Sequence, residues 1–434
     1  MLKVAKFGGT SLCDAAQIKK VLNIINADQA RRIIVVSAPG KRNSHDQKIT
    51  DLFKEWHRLQ TMELPTRIVS DVIFDRFDWI ISGLGIDFDI SEALKDIQNA
   101  IAGGASEDYA ASRGEYLNGL IVAQALNCAF IDPADYLLFH PRGHYLSARQ
   151  SLRNALLQHD RVVVPGFYGA TAAREIKTFS RGGSDITGAI IAEAVSADVY
   201  ENWTDVSGLL MADPRIVENP QGVASLSHRE LRELTYMGAN VFHEEATLPV
   251  RRAGIPINIK NTNEPEHSGT MVVSESTPET ERLITGIAGR KNFSVITIEK
   301  TMMNQEIGFI RKILAVLESH GISIEHVPGG IDTVSIIVGN ADLAEKTDEV
   351  VREINNVCQP ESVTVQPNLA MIAIVGRNMI HTPGVAARVF TAIAKAGINT
   401  RLINQGSSEL NIIVGVDNAM YEDTIRAIYA EFVK

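Results

Sequence analysis

The last third of the chain is written twice at a fixed spacing, and this repeat constrains the fold more than any other feature. "FSVITIE" at 293–299 answers to "LAMIAIV" at 369–375, Gly308 to Gly384, "HGIS" at 320–323 to "AGIN" at 396–399, and "SIIVG" at 335–339 to "NIIVG" at 411–415, each pair offset by 76 residues. A constant offset across strand, helix and strand patterns predicts two copies of one β-α-β-β-α-β unit. Half-buried sheets of this size pair readily with a second copy, so a sheet shared between subunits is expected.

Upstream the pattern changes. Apolar, β-rich runs alternate with helical periodicity: Leu2 to Phe7, a helix from about Ser11 to Ala27, then "RIIVVSAPG" at 32–40, with further strand runs at 161–169, 198–206 and 255–261. That alternation is the mark of a mostly parallel sheet covered by helices. Residues 51 to 128 read as a helical layer, and the polar, turn-rich stretches at 261–270 and 274–281 place the end of this first domain near 285. At 434 residues the chain exceeds one ordinary core.

The formal charge of −10 argues against a general nucleic-acid or anionic-membrane binder, because a phosphate surface repels the average face. Cys13, Cys128 and Cys358 lie far apart and in no metal or disulfide spacing, which fits a reducing cytoplasm. No stretch approaches the length of a membrane span, so the expectation is a soluble, cytoplasmic protein.

"KVAKFGGTS" at 3–11 sets Lys6 between an apolar strand and paired glycines, followed by two hydroxyls. The order fits neither a Walker loop nor a dinucleotide fingerprint. At the carboxyl end of a buried strand, however, Gly8 and Gly9 let backbone approach a phosphate, and Lys6 supplies a charge that can follow it during transfer. Ser11 and Asp14 have the spacing of a capping box. The bland alternative is a strand turn with a snorkelling lysine.

A second loop, "TFSRGGSDITGAIIAEAV" at 178–195, repeats the theme of basic residue, paired glycines and serine before a helix, and adds Asp185. Arg181 can grip a carboxylate on two prongs, while Asp185 can organise Mg²⁺ or the lysine, or merely cap the helix. Glu115, in the first turn of the helix read at 112–126, is either a surface acid favoured by the helix dipole or the receiver of a substrate ammonium. Thr204, Asp205 and Arg215 in "NWTDVSGLLMADPRIV" can line a nucleotide pocket or form an ordinary turn-rich loop.

Together these motifs resemble the aspartate kinases of the amino acid kinase superfamily. The carriers are "KFGGTS" at 6–11, "SRGE" at 112–115, "RGGSD" at 181–185, "WTDVSGLLMADPR" at 203–215 and "AGIPINIKNTNEPEHSGT" at 253–270, followed by two units of ACT type. The resemblance spans nearly the whole chain. It implies an α/β amino acid kinase fold, a mostly parallel sheet between helical layers, over 1–285. Two ferredoxin-like ACT domains follow at 286–368 and 369–434, the first inserted within the second as in relatives.

The activity implied is transfer of the ATP γ-phosphoryl group to the side-chain carboxylate of L-aspartate, with ATP and Mg²⁺ as cofactors. Lys6 would stabilise the migrating group and Asp185 order the centre. Arg181 and Glu115 would hold the α-carboxylate and α-amino groups, with Ser37, Thr50 and Gly182 near the substrate. Gly8, Gly9, Thr10, Thr204, Asp205 and Arg215 would serve the nucleotide. A carboxylate is already a competent nucleophile, so alignment and charge neutralisation suffice.

Two departures stand out. Where relatives read Lys-Val-Leu-His-Pro, this chain has Asn240, Val241, Phe242, His243 and Glu244, then Glu245, which removes a cation from the nucleotide pocket. The loop "KRNSHDQKIT" at 41–50 is also longer than in many relatives.

Paired ACT units imply an amino-acid effector, lysine ahead of threonine, and a homodimer through these units that could extend to a tetramer. Met303, Glu306, Phe309, Ile310 and Glu325 are the candidate effector residues. Rival readings are a non-catalytic amino-acid sensor, which the intact Lys6, Arg181 and Asp185 oppose, and a kinase for a different acid.

Overall fold

The computed structural model describes residues 1–139, 145–147, 149–180, 182–239, 247–274 and 282–433. Two compact units organise the chain: Met1–Leu209, Gly222–Leu231 and Asn240–Thr280 form the first, and Leu210–Gln221, Arg232–Ala239 and Glu281–Lys434 the second. Their segments interleave because Met211 hydrogen-bonds through its carbonyl to the Ile287 amide, which draws the 210–221 segment into the second unit.

In chain order the first part comprises β1 (Lys3–Phe7), α1 (Ala15–Asn26), β2 (Arg31–Val36), α2 (Ile49–Thr61), α3 (Arg67–Leu84), α4 (Ser91–Ala102), α5 (Glu107–Leu126), β3 (Ala129–Phe130), β4 (Leu137–Phe139), β5 (Tyr145–Ser147), α6 (Arg149–Leu157) and β6 (Val162–Pro165). Next come β7 (Tyr168–Thr171), β8 (Ile176–Thr178), α7 (Gly183–Val195), β9 (Val199–Thr204), β10 (Ser225–Ser227), α8 (His228–Tyr236), α9 (Thr247–Ala253), β11 (Ile257–Asn261) and β12 (Thr270–Val273). The main sheet runs β10-β12-β11-β9-β1-β2-β6-β3, parallel except for the β11/β12 pair. The chain leaves β1 for β2 on one side and returns to β9 on the other. Such a reversal opens a crevice at the carboxyl ends of the strands.

Alternation along β1 sorts its side chains. Ala5 and Phe7 join Ile34, Val36 and Trp203 in the core beneath α1 to α5. Lys6 takes the other face, against α7. The helix expected from Ser11 begins later: Gly9–Leu12 form a single 3-10 turn, and Asp14 rather than Ser11 caps α1 by accepting from the Gln17 amide. The reason is tertiary, since the Ser11 hydroxyl is buried and accepts from Thr262 at 2.8 Å.

Glu201 on β9 is 1% exposed and accepts from Arg31 at 2.7 Å, Lys3 at 3.0 Å and the Trp203 indole at 2.9 Å. Burial opposes its ionisation, but the bonds from Arg31 and Lys3 outweigh that and lower its pKa. Glu201→Gln should therefore destabilise the protein by about 2 kcal/mol at neutral pH, because two cations lose their counter-charge. Urea titration checks this, and the difference should shrink in acid as the wild-type carboxylate protonates.

The second unit contains β13 (Gly286–Glu299), α10 (Phe309–Ser319), β14 (Ile324–His326), β15 (Thr333–Gly339), α11 (Asn340–Leu343), α12 (Thr347–Cys358), β16 (Ser362–Val375), α13 (Val385–Lys395), β17 (Leu402–Asn404), β18 (Asn411–Asp417) and α14 (Tyr421–Phe432). One antiparallel sheet, β14-β15-β13-β16-β18-β17, carries both repeats. β13 and β16 are long enough to serve both: Phe293 to Glu299 pair with Leu369 to Ser362, and Gly286 to Arg290 with Val375 to Met371. One repeat is thus nested in the other, and a linear cut after 368 falls inside β16. No described helix is long and apolar enough to cross a membrane.

Candidate active site

Register brings the chemistry together. Lys6 on β1 lies directly beside Asn202 on β9, and α7 sets Asp185, in its first turn, over both. The Lys6 ammonium is 2.5 Å from Asp185 Oδ1, and Asn202 donates to the same oxygen at 2.9 Å. The Tyr200 hydroxyl donates to the Asp185 carbonyl at 3.1 Å. Lys6 is 7% exposed, so its charge acts where water screens weakly. Asp185 Oδ2 has no partner among the described residues.

Gly182 caps α7 with φ 58°, in the left-handed region that favours glycine. Its neighbour Arg181 lies outside the described residues, as do Asn240, Val241, Phe242, His243, Glu244 and Glu245.

A cleft of about 480 Å³ opens at the carboxyl ends of β1, β2 and β9. Gly8, Gly9 and Thr10 contribute after β1, Ser37 to Lys41 after β2, and Thr204 and Asp205 after β9; Lys48, Thr50 and Glu115 complete it. Backbone bonds tie the mouth together: Gly8 N–H donates to the Trp203 carbonyl at 2.9 Å, and Gly40 N–H to the Gly9 carbonyl at 2.8 Å. The chains touch so closely that a Cβ on Gly40 would sit 2.6 Å from the Gly9 carbonyl carbon. Gly40→Ala should therefore cost about 1–3 kcal/mol of stability and raise substrate KM values. Gly222→Ala, where a Cβ meets open space, should leave both unchanged.

Glu115 is the electrostatic exception in the cleft. It is 5% exposed, and its Oε2 is buried with no hydrogen-bond partner among the described residues. Burial pushes its pKa up to about 8, against the partial relief of a hydrogen bond from the Ala38 backbone. Gly114 makes the position possible, since a Cβ there would lie 2.9 Å from both Ala38 and Ile49 side chains. Asn118, one turn on, donates to the Ser37 carbonyl at 2.7 Å and holds the loop after β2.

The structure does not assemble the whole predicted set. Arg215 belongs to the second unit, where its 87% exposed side chain pairs with Asp213 at 2.6 Å. An acid two residues away captures the guanidinium locally. The expected effector residues also divide. Met303 and Phe309 are buried in the core around Ile313 and Val334, so these side chains fill a core rather than line a ligand surface. Ile310 is exposed, Glu306 is held by Lys300 and Lys312 at 2.6 and 2.7 Å, and Glu325 accepts from the Tyr236 hydroxyl at 2.5 Å.

Sequence reasoning missed Asn202, Asn118, Lys41 and Lys48. Asn202 has a sequence signal, a polar residue inside a buried strand, whereas the loop lysines read as ordinary surface cations.

Comparisons with known proteins agree with this geometry. The amino acid kinase family profile matches residues 1–261, and an ACT domain profile matches residues 372–432. Aspartokinase 3 of Bacillus subtilis is 38% identical over 99% of this chain and 98% of its own length. The crystal structure of Clostridium acetobutylicum aspartate kinase superposes with a TM-score of 0.96 at 49% identity, covering 99% of this chain and 100% of that one. E. coli aspartokinase III, solved with aspartate and ADP and with lysine and aspartate, has a TM-score of 0.76 at 24% and 25% identity, with full coverage of both chains. A conjoined Lys6–Asp185 centre, a glycine-lined cleft at the strand ends and full-length similarity lead to one assignment: the chain belongs to the amino acid kinase family and, within it, to the aspartate kinases.

Proposed function

We propose that this chain transfers the γ-phosphoryl group of ATP to the β-carboxylate of L-aspartate, giving 4-phospho-L-aspartate. The observation that carries the reading is the Lys6–Asp185–Asn202 cluster beside a cleft that also holds the buried Glu115 carboxylate. In the step, an aspartate carboxylate oxygen attacks the γ-phosphorus while the bond to the β–γ bridging oxygen breaks. ADP departs with that electron pair, and no proton transfer is required. Lys6 neutralises the phosphoryl oxygens, and Asp185 and Asn202 fix its direction. Glu115 receives the α-ammonium and Arg181 the α-carboxylate, with Ser37, Thr50 and Gly182 beside them. Gly8, Gly9, Thr10, Thr204 and Asp205 serve the nucleotide.

Mg²⁺ fits this centre. Among the described residues there is no cage of three or more ligating side chains, but Asp185 keeps one carboxylate oxygen free, which suits an ion that takes few protein ligands and keeps its phosphates and waters. When bound with the nucleotide it supplies neutralising charge to the phosphate oxygens.

The reaction would open the lysine, threonine and methionine branch of amino-acid biosynthesis in the cytoplasm. The nested repeats would carry feedback by an amino acid, lysine ahead of threonine, in a homodimer or larger assembly. The lysine complex of E. coli aspartokinase III supports that order. Glu325 and Ile310 remain the candidate effector contacts. ADP release measured with aspartate, glutamate or no acceptor, each with and without lysine and threonine, tests the proposal. Turnover with aspartate alone is expected. No ADP with any acceptor favours a sensor, and preference for glutamate changes the substrate.

A further inference from the structure

The loop between β2 and α2 is fastened with more care than a surface connection requires. Arg76 on α3 is 5% exposed and donates to three points on or beside this loop: Asp46 at 2.8 Å, the Gly40 carbonyl at 2.8 Å and the Cys13 carbonyl at 2.9 Å. Asp46 in turn accepts from the Arg42 guanidinium at 2.9 and 3.0 Å and from the Arg42 amide at 2.9 Å. Arg42 lies over the Trp79 ring, one turn along α3 from Arg76, at 5.7 Å. This arrangement fastens the loop at Gly40, Arg42 and Asp46, and Lys41 and Lys48, next to these points, line the cleft.

Neither ammonium has a carboxylate partner among the described residues, and both side chains are exposed to the cleft's solvent. Lys48 is also the N-cap residue of α2 and makes no capping bond there. The positive end of a helix dipole repels a cation, so this lysine brings no benefit to the helix. Helix end and lysines together instead concentrate positive charge on one wall. Among the described residues the other charged groups lining the cleft are acids, Glu115 and Asp205, so Lys41 and Lys48 are the cations of its wall, with the Lys6 ammonium beside it at Gly8.

We propose that Lys41 and Lys48 are anion-binding residues of this cleft, receiving anionic oxygens of the reactants, and that Arg76 is the positioning residue that holds their loop in place. The inference rests on the functional reading above for the identity of the anions, a nucleotide polyphosphate or a dicarboxylate.

Calorimetric titration of the full-length protein with ADP and, separately, with L-aspartate at low and high salt tests it without turnover. In Lys41→Met, Lys48→Met and the double variant, affinity for at least one ligand should fall about three- to tenfold per lysine. The salt dependence of that affinity should flatten in parallel. The ligand affected identifies which reactant the loop serves. Arg76→Met should reproduce the same ligand's loss and raise its KM with kcat changed less, and Arg76→Lys should recover part of it. Should Arg76→Met fail to fold, the exposed lysines decide alone. Unchanged affinity and unchanged salt dependence for both ligands in the double variant overturn the proposal, as does a wild-type chain that binds neither. Lysine-dependent ADP binding without phosphoryl transfer to aspartate would refute the proposed reaction and leave this inference standing.

Discussion

Lys6→Met should lower kcat about a thousandfold or more, with ADP affinity reduced far less. The asymmetry follows from where the ammonium sits. It is 7% exposed on the face of β1 beneath α7, 2.5 Å from Asp185, so its charge is oriented before any reactant arrives and no water must be reorganised as the phosphoryl group moves. On the proposed reading the polyphosphate has other contacts in the ground state, at the glycine-lined mouth. In the transition state, charge accumulates on the transferring oxygens, and an aligned cation is most valuable there. Methionine preserves the length and apolar stem, so the strand should survive. Asp185 keeps the hydrogen bond from Asn202 but loses its counter-charge, which predicts a modest fall in melting temperature as well. Lys6→Arg should not rescue turnover, because a planar fork cannot occupy the same point at that depth. Single-turnover phosphoryl transfer separates the effects. A rate within tenfold of wild type would remove Lys6 from the reacting centre.

The parts of this site visible in the sequence were those with local signatures. Paired glycines after an apolar strand marked the cleft mouth; Lys6 and Asp185 stood out because each sits beside such a glycine pair, and Glu115 through its place in the "SRGE" motif. The 76-residue offset likewise exposed the regulatory repeats. What escaped was set by register and by long-range contacts. Asn202 matters only because β9 pairs with β1 in a register that puts it beside Lys6, and sequence alone does not state that register. The start of α1 was misplaced for the same kind of reason, a bond from Thr262 that commits Ser11 elsewhere. The resemblance to ACT units pointed to Met303 and Phe309 without distinguishing a core wall from a ligand wall, since both are apolar. The nesting of the repeats depends on two strands long enough to belong to both, a property of pairing rather than of composition.

Glu115→Gln should raise the KM for aspartate about a hundredfold at pH 8, since it removes one partner of a desolvated charge pair. It should also make the ligand-free protein more stable at that pH. The two effects have one origin. In the folded protein burial pushes the Glu115 pKa up to about 8, and in the unfolded chain it returns to the ordinary glutamate value. Between those values the folded state holds a proton that the unfolded state lacks. The carboxyl group's contribution to stability is therefore complete below the unfolded pKa and declines as pH rises to about 8, by about 1.4 kcal/mol per pH unit at most. Glutamine does not ionise and escapes that decline. An arriving α-ammonium reverses the preference, because it stabilises the carboxylate and expels the proton. Aspartate affinity should accordingly improve as pH rises from 6 to 8, by up to about tenfold per unit, with close to one proton released per ligand at pH 7. Calorimetry in buffers of different ionisation enthalpy counts that proton directly. The glutamine variant should release none and show a flat KM over the same range. A wild-type KM that ignores pH between 6 and 8, with no proton released, would mean that the ammonium binds elsewhere and that Glu115 is a buried acid with a structural role alone.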